Sequence, residues 1–416
     1  MLFVLKRRKW LKRLAAALVF LLIVGFQTKD YAVSQNKTVV LTKSTGGYVI
    51  EGKQHIGTAT FMAGVPYKLL SQDELYAFLS FGNDKLAVPL NTVQSISSLP
   101  EKSMPALPKG KKTMITQKRA SVASSLKGGF RLGYVNPGQR LPVLAETKTH
   151  IQVDFGGVRG FIPKSLVKAD PGIPVLMYHH IVEDRAKTPF ASNNMVIDLA
   201  PFQQQMAYLK KNGWTTIAPE DLDNWLMLRK NLPDKTVLLT FDDGLLSLQQ
   251  YAYPILANNG FQATSFLITS RIIQQAQPWN DQAFQYVGLK EIREMNDVFS
   301  FQHHTHGLHL RRPGTREPYL TSSTAEDIQA DIELGRWQVS KAYDMQDPNI
   351  RYLAYPFGQF SPLSKNAVTA SGIRMAFTTN PGNVKLGDNR YELRRQGVSP
   401  SHSLGDFEKK LYGVYK

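Results

Sequence analysis

Along the second half of the chain, short runs of consecutive apolar residues alternate with longer helical patterns. Ile173–Tyr178 (IPVLMY), Thr236–Phe241 (TVLLTF) and Ala263–Ile268 read as strands buried on both faces; Phe299–Gln302, Tyr352–Tyr355 and Met375–Thr378 are further candidates. Between them, Leu199–Asn212 has a helical pattern stopped by Gly213, and Tyr251–Asn259 has another ahead of Gly260. Strands apolar on both faces, alternating with helices, predict a parallel sheet covered by helices, open or closed into a barrel. Polar residues that follow such strands are the first place to look for chemistry.

The first half follows another rule. His150–Phe155 alternates polar and apolar residues and breaks at Gly156-Gly157, the pattern of a strand entering a hairpin. Residues 63–93 and 137–167 align without a gap at an offset of 74, placing Gly64 on Gly138, Leu70 on Leu144, Phe81-Gly82 on Phe155-Gly156, Pro89 on Pro163 and Val93 on Val167. The second copy resembles bacterial SH3-like wall-binding modules, and the first resembles a degenerate version. The expected organisation is two small all-β modules at 45–96 and 119–168. A linker rich in Pro, Ser and Lys joins them at 97–118, and the α/β domain spans 172–416. The modules either attach the protein to an anionic cell-wall polymer or space the domain that follows.

Composition narrows the class. With 43% hydrophobic and 20% charged residues, the 416-residue chain is neither disordered nor a polytopic membrane protein. It has no cysteine, so disulfides, thiol catalysis and thiolate metal sites are excluded. The net charge of +17 is uneven. Residues 30–170 carry 18 basic and 9 acidic side chains, whereas 171–416 carry 25 and 24. Spread thinly over the first half, the excess suits an anionic surface better than nucleic acid, and no nucleic-acid partner is expected. Residues 1–29 place a cationic run before the uncharged Leu14–Phe26, a hydrophobic helix that reads as a secretory signal or an uncleaved membrane anchor. The rest of the chain is then expected outside a bacterial cell, at the envelope.

Four polar clusters follow predicted strands: Tyr178-His179-His180; Thr240-Phe241-Asp242-Asp243-Gly244; Gln302-His303-His304-Thr305-His306-Gly307-Leu308-His309; and Tyr355-Pro356-Phe357-Gly358. Adjacent carboxylates at a buried strand end repel unless a cation or proton separates their roles. Four of the nine histidines lie within seven residues, which points to a metal site. His304 and His309, or His306 and His309, are the candidate pairs.

The order T-F-D-D-G, H-T-H-G-L-H, Y-P-F-G resembles the polysaccharide deacetylases of the NodB-homology type (carbohydrate esterase family 4). The I-P-V-L-M-Y-H-H-I opening is similar to the poly-N-acetylglucosamine deacetylase branch, over residues 172–416. The resemblance implies an irregular (β/α) barrel and metal-dependent hydrolysis of N-acetyl groups from an acetylated glycan of the envelope, either poly-N-acetylglucosamine or peptidoglycan. It implies Asp243, His304 and His309 as ligands of a divalent metal, best matched by Zn²⁺, and Asp242 as the general base toward the attacking water. His179 matches the general acid, with His402 as runner-up. Arg395 matches the arginine bracing the catalytic carboxylate, and Tyr355, Pro356, Phe357 and Gly358 match the substrate and oxyanion turn. Tyr355 stands where much of the wider family has Arg. An O-acetyl esterase on the same glycans and an inert wall-binding protein are the alternatives.

Overall fold

The computed structural model describes residues 31–32, 37–98, 110, 112–343 and 350–415. The expected signal or anchor at 1–29 lies outside the described residues. From Val175 onward, seven parallel strands form the core. They are β1 (Val175–Tyr178), β2 (Thr236–Phe241), β3 (Ala263–Leu267), β4 (Phe299–His303), β5 (Tyr352–Ala354), β6 (Met375–Pro381) and β7 (Leu393–Gly397). Each pairs with the next, and β1 pairs with both β2 and β7, which closes the barrel. A two-residue strand, Thr215–Thr216, adds to the outside of β2.

All six residues of β2 and all five of β3 are buried, because helices cover the outer face while side chains fill the inner one. The covering helices are α1 (Leu199–Lys211), α2 (Pro219–Leu226), α3 (Tyr253–Asn259), α4 (Leu289–Glu294), α5 (Ala325–Tyr343), α6 (Pro362–Ala370) and α7 (Leu404–Leu411). α3 is preceded by a π turn at Leu248–Ala252 and ends at Gly260, whose φ of +67° stops it.

The N-terminal half is entirely antiparallel. Its repeat reappears in three dimensions: hairpin strands Tyr76–Phe81 and Asp84–Pro89 have counterparts His150–Phe155 and Val158–Pro163, each 74 residues on. A 3₁₀ turn follows each hairpin, at Leu90–Thr92 and Lys164–Leu166. The copies meet about a local two-fold axis. Phe81 pairs with Phe155, its own counterpart. The Gly82 N–H donates to Asp154 O (3.1 Å) and the Gly156 N–H to Ser80 O (2.8 Å).

This organisation departs from two modules strung on a linker. One apolar core, including Phe61, Tyr67, Phe81, Leu132 and Phe155, runs through both copies. The span 97–118 contains the end of strand Val93–Ser98 and the whole of strand Thr113–Thr116, which pairs with Arg140–Pro142 and Val167–Ala169. Apolar surface on each short sheet is insufficient alone, so the copies bury it against one another.

The β unit is also fastened to the barrel. Arg140, buried, pairs with Asp170 (2.6 Å) and donates to the carbonyls of Pro233 (2.6 Å) and Asp234 (3.2 Å), just before β2. Asn231 donates to Phe81 O (2.7 Å) beside the two-fold axis.

Candidate active site

Carboxyl ends of the barrel strands surround an open cleft of about 480 Å³. Asp242 follows β2 with its backbone N–H on Tyr178 O (2.9 Å) and its side chain buried. Arg395 of β7, fully buried, grips it through both oxygens, at 2.7 Å to Oδ1 and 2.8 Å to Oδ2. Arg395 Nε is spent on Thr378 O (2.8 Å), which fixes the guanidinium plane. Burial would push the Asp242 carboxyl up, but the Arg395 guanidinium, joined by His304 once acid protonates that ring, outweighs it and holds the group well below the usual carboxylate range.

The next residue turns the other way. Asp243 has φ +73°, so successive side chains diverge and its carboxylate enters the cleft rather than the barrel interior. Gly244 continues the left-handed turn at φ +74°, and a Cβ there would lie 2.6 Å from Leu267 Cδ2. Asp243 Oδ1 is 3.6 Å from His304 Nε2 and 3.7 Å from His309 Nε2. One donor atom from each of the three lies within 4.8 Å of the others.

These residues fit a divalent cation. Tetrahedral N and O ligands at about 2.1 Å from an ion lie about 3.4 Å apart, close to the spacings found here. His304 Nδ1 faces Ala354 O at 2.7 Å and must donate to it, which leaves the Nε2 lone pair toward Asp243. Burial lowers His304 to about 4 and His309 to about 3, so both imidazoles are neutral and able to ligate at neutral pH.

The remaining expected residues divide. His179 lines the cleft with Nε2 at 3.9 Å from Asp242 Oδ2. Tyr355, Phe357 and Gly358 line it too, although the Tyr355 hydroxyl is committed to Tyr391 O (3.1 Å). Phe357 has φ +57° and packs its ring 4.7 Å from His309. Pro356 is buried in the 3₁₀ turn and does not line the cleft.

Two alternatives fall away from the cluster. His306 Nδ1 meets Thr269 Oγ1 (3.1 Å), and His402 accepts the Ser399 N–H (2.9 Å) at Nδ1 while its ring meets Tyr415; neither lines the cleft. His303 points the opposite way from His304. It is wholly buried, accepts the Thr305 N–H (2.7 Å) and reaches Ile332 O (3.2 Å).

Sequence reasoning missed several participants. Met177, Met195, Arg311 and Thr379 complete the cleft wall. Asp331 of α5 accepts the backbone N–H groups of His306 (2.7 Å), Gly307 (2.6 Å) and Leu308 (3.1 Å), the loop between His304 and His309. An acidic residue on a polar helix carries no local mark of this role; only its closeness to the loop in space, 23 to 25 residues away along the chain, reveals it.

Comparison with known proteins agrees with this geometry. Residues 229–376 match the polysaccharide deacetylase family model. A poly-beta-1,6-N-acetyl-D-glucosamine N-deacetylase of Staphylococcus epidermidis is 28% identical over 200 residues, covering 48% of this chain and 66% of that protein. Its namesake from Staphylococcus aureus is 24% identical over 253 residues, covering 57% and 82%. Among solved structures, the Streptococcus pyogenes deacetylase PplD in complex with acetate superposes with a TM-score of 0.50 at 25% identity, covering 58% of this chain and 98% of that one. The chain therefore carries a polysaccharide deacetylase domain, an enzyme domain with poly-β-1,6-N-acetylglucosamine deacetylases among its homologues.

Proposed function

We propose that this protein is a metal-dependent hydrolase that removes N-acetyl groups from N-acetylhexosamine units of a bacterial cell-envelope polysaccharide, poly-N-acetylglucosamine or peptidoglycan. The observation that carries the reading is the convergence of Asp243, His304 and His309 on one point of the cleft, beside the Asp242–Arg395 pair and His179. Those three residues would hold the ion. When bound, a divalent cation such as Zn²⁺ supplies Lewis acidity that polarises an acetamide carbonyl and acidifies a neighbouring water.

Asp242 takes the proton of the attacking water. Its carboxylate is a weak base because Arg395 stabilises the ionised form, and it therefore suits a water that is already acidic. Arg395 also prevents the carboxylate from rotating, so one oxygen stays presented to the cleft. His179, facing the same carboxylate, protonates the departing amine, which leaves poorly as an anion. The left-handed turn at Phe357 supplies a backbone N–H to the developing oxyanion. Export to the envelope and attachment through the N-terminal unit complete the proposal, supported by the cationic first half of the sequence.

Acetate release from a poly-N-acetylglucosamine oligomer and from purified peptidoglycan, before and after metal stripping and Zn²⁺ reloading, tests the reading. Metal-dependent release from one of them is expected. Asp242→Asn is expected to lower turnover by about 10²–10⁴ while retaining metal, and His304→Ala to lose metal as well. Near-normal turnover by Asp242→Asn sinks the role given to that residue.

A further inference from the structure

At the end of the barrel opposite the catalytic mouth, the loop leading into β2 lies against the outer face of the first β copy. Tyr48, Ala87 and Phe78 stand side by side in one row across three strands there. The aromatic surface continues through Tyr76 and His55. Ring centroids are 6.5 Å apart for Phe78–Tyr76, 5.6 Å for Tyr76–His55 and 6.0 Å for His55–Tyr48. Lys85 Nζ lies 4.2 Å above the Phe78 ring. At the equivalent positions 74 residues on, Tyr76 and Phe78 become His150 and Gln152, so this surface belongs to the first copy alone.

The barrel supplies the other wall. Asn224, Arg229 and Lys230 close a cleft of about 360 Å³ against Tyr48, Phe78 and Lys85, within the range of small-ligand sites. The loop is held in place at Asn231, which bonds to Asn83, Asp84 and Phe81 of the β unit. Leu228, adjacent to Arg229, adopts φ +58°, a left-handed backbone that a leucine takes only when its surroundings impose it. Among the described residues the other left-handed non-glycine positions are Asp243 and Phe357 in the catalytic cleft and Thr305 in the histidine loop. Of the acids lining the cleft, Asp84 is committed to the N–H groups of Lys85 and Asn231, and Glu51 is exposed at the rim.

We propose that this cleft between the two units binds an anionic glycan strand. The aromatic faces of Tyr48 and Phe78 pack against the C–H faces of pyranose rings, and the exposed Arg229 matches carboxylate or phosphate substituents, whereas Lys230 is paired with Asp221 at 2.7 Å. The excess of cations over acids in residues 30–170 adds a longer-range attraction of the same sign. Because the cleft sits at the far end of the barrel, the bound segment is a different part of the polymer from the one deacetylated. That last point rests on the deacetylase reading above.

The test is retention of the full-length protein on an insoluble wall glycan carrying phosphodiester-linked polymer, and on the same glycan stripped of phosphate, at low and raised salt. Tighter, salt-sensitive retention on the first is expected. Arg229→Glu, at an exposed position, and Phe78→Ser should each weaken it by roughly two- to tenfold, with Arg229→Lys restoring most of the loss. Acetate release from a short soluble oligomer should be unchanged in all three. Equal retention by Arg229→Glu and wild type, or equal binding to the stripped glycan, overturns the proposal. Absence of acetate release by the wild type defeats the deacetylase reading and leaves the binding result standing.

Discussion

Two neighbouring aspartates end in different electrostatic environments, and the difference arises from one backbone angle. Asp242, in the barrel, meets a guanidinium; Asp243, turned by its positive φ, meets two neutral imidazoles. Asp331 acts on the same site from a distance by holding three N–H groups of the intervening loop. Asp331→Ala frees that loop, and metal affinity is expected to fall about 10- to 100-fold, read by calorimetric titration of the folded variant. His180 predicts a pH effect. Its ring is buried among Phe190, Trp279 and Phe284, and burial lowers its pKa from 6.5 to about 4. Between those values the unfolded chain binds more protons than the folded one, so stability falls as pH drops. The loss from pH 7 to pH 5 is about 2 kcal/mol. His180→Asn should show a correspondingly shallower decline in unfolding free energy; an unchanged slope would refute the assignment.

At the scale of elements, the loop that carries the histidines depends on how α5 lies on β4. Gly335 allows the approach: a Cβ at this position would lie 2.0 Å from His303 Nε2, inside the contact of two buried groups. Gly335→Ala is expected to cost about 1–3 kcal/mol through overpacking, measured as a lowered denaturation midpoint. Strand β7 shows a different dependence on context. It reads Leu-Arg-Arg-Gln-Gly, with no apolar run, because one of its inward side chains is Arg395. A buried arginine is tolerated there because Asp242, Thr378 and Thr240 satisfy it. The strand therefore escapes a reading based on hydrophobicity and is recognised only by its two neighbours, β6 and β1.

Across the whole molecule, the β unit is fastened to the barrel through Arg140, which a buried ion pair with Asp170 holds toward the carbonyls of Pro233 and Asp234. Arg140 and Asp170 are both almost wholly shielded from solvent, and Arg140 lies 5.7 Å from the ring of Trp225 on α2. Removing one partner of such a pair leaves a buried charge uncompensated, at a cost of about 3–5 kcal/mol. Arg140→Ala should therefore unfold in two steps, with the tryptophan fluorescence of the barrel separating from the far-ultraviolet signal of the β unit. A single transition at the wild-type midpoint would show that the two units are not coupled through this pair.

The strands β1 to β6 could be located from the chain alone, because a parallel strand buried on both faces is written as an uninterrupted apolar run. Thr236–Phe241 has the same bounds in both readings, and the polar clusters stand where those runs end. The repeat was equally legible, since its glycines and alternating apolar positions report turns and burial locally. What patterning and spacing could not reveal, and what the family resemblance alone anticipated for Arg395 and the Asp243–His304–His309 set, was direction and partnership. Which of His303, His304, His306 and His309 face one point depends on the left-handed turn at Thr305 and on Asp331, a helix away. Arg395 meets Asp242 across 153 residues, and the two β copies meet about an axis that neither contains. Periodicity records how deeply a residue is buried. Its orientation and its partners are set by contacts between distant segments, so they were decided only when the barrel closed and the β unit docked against it.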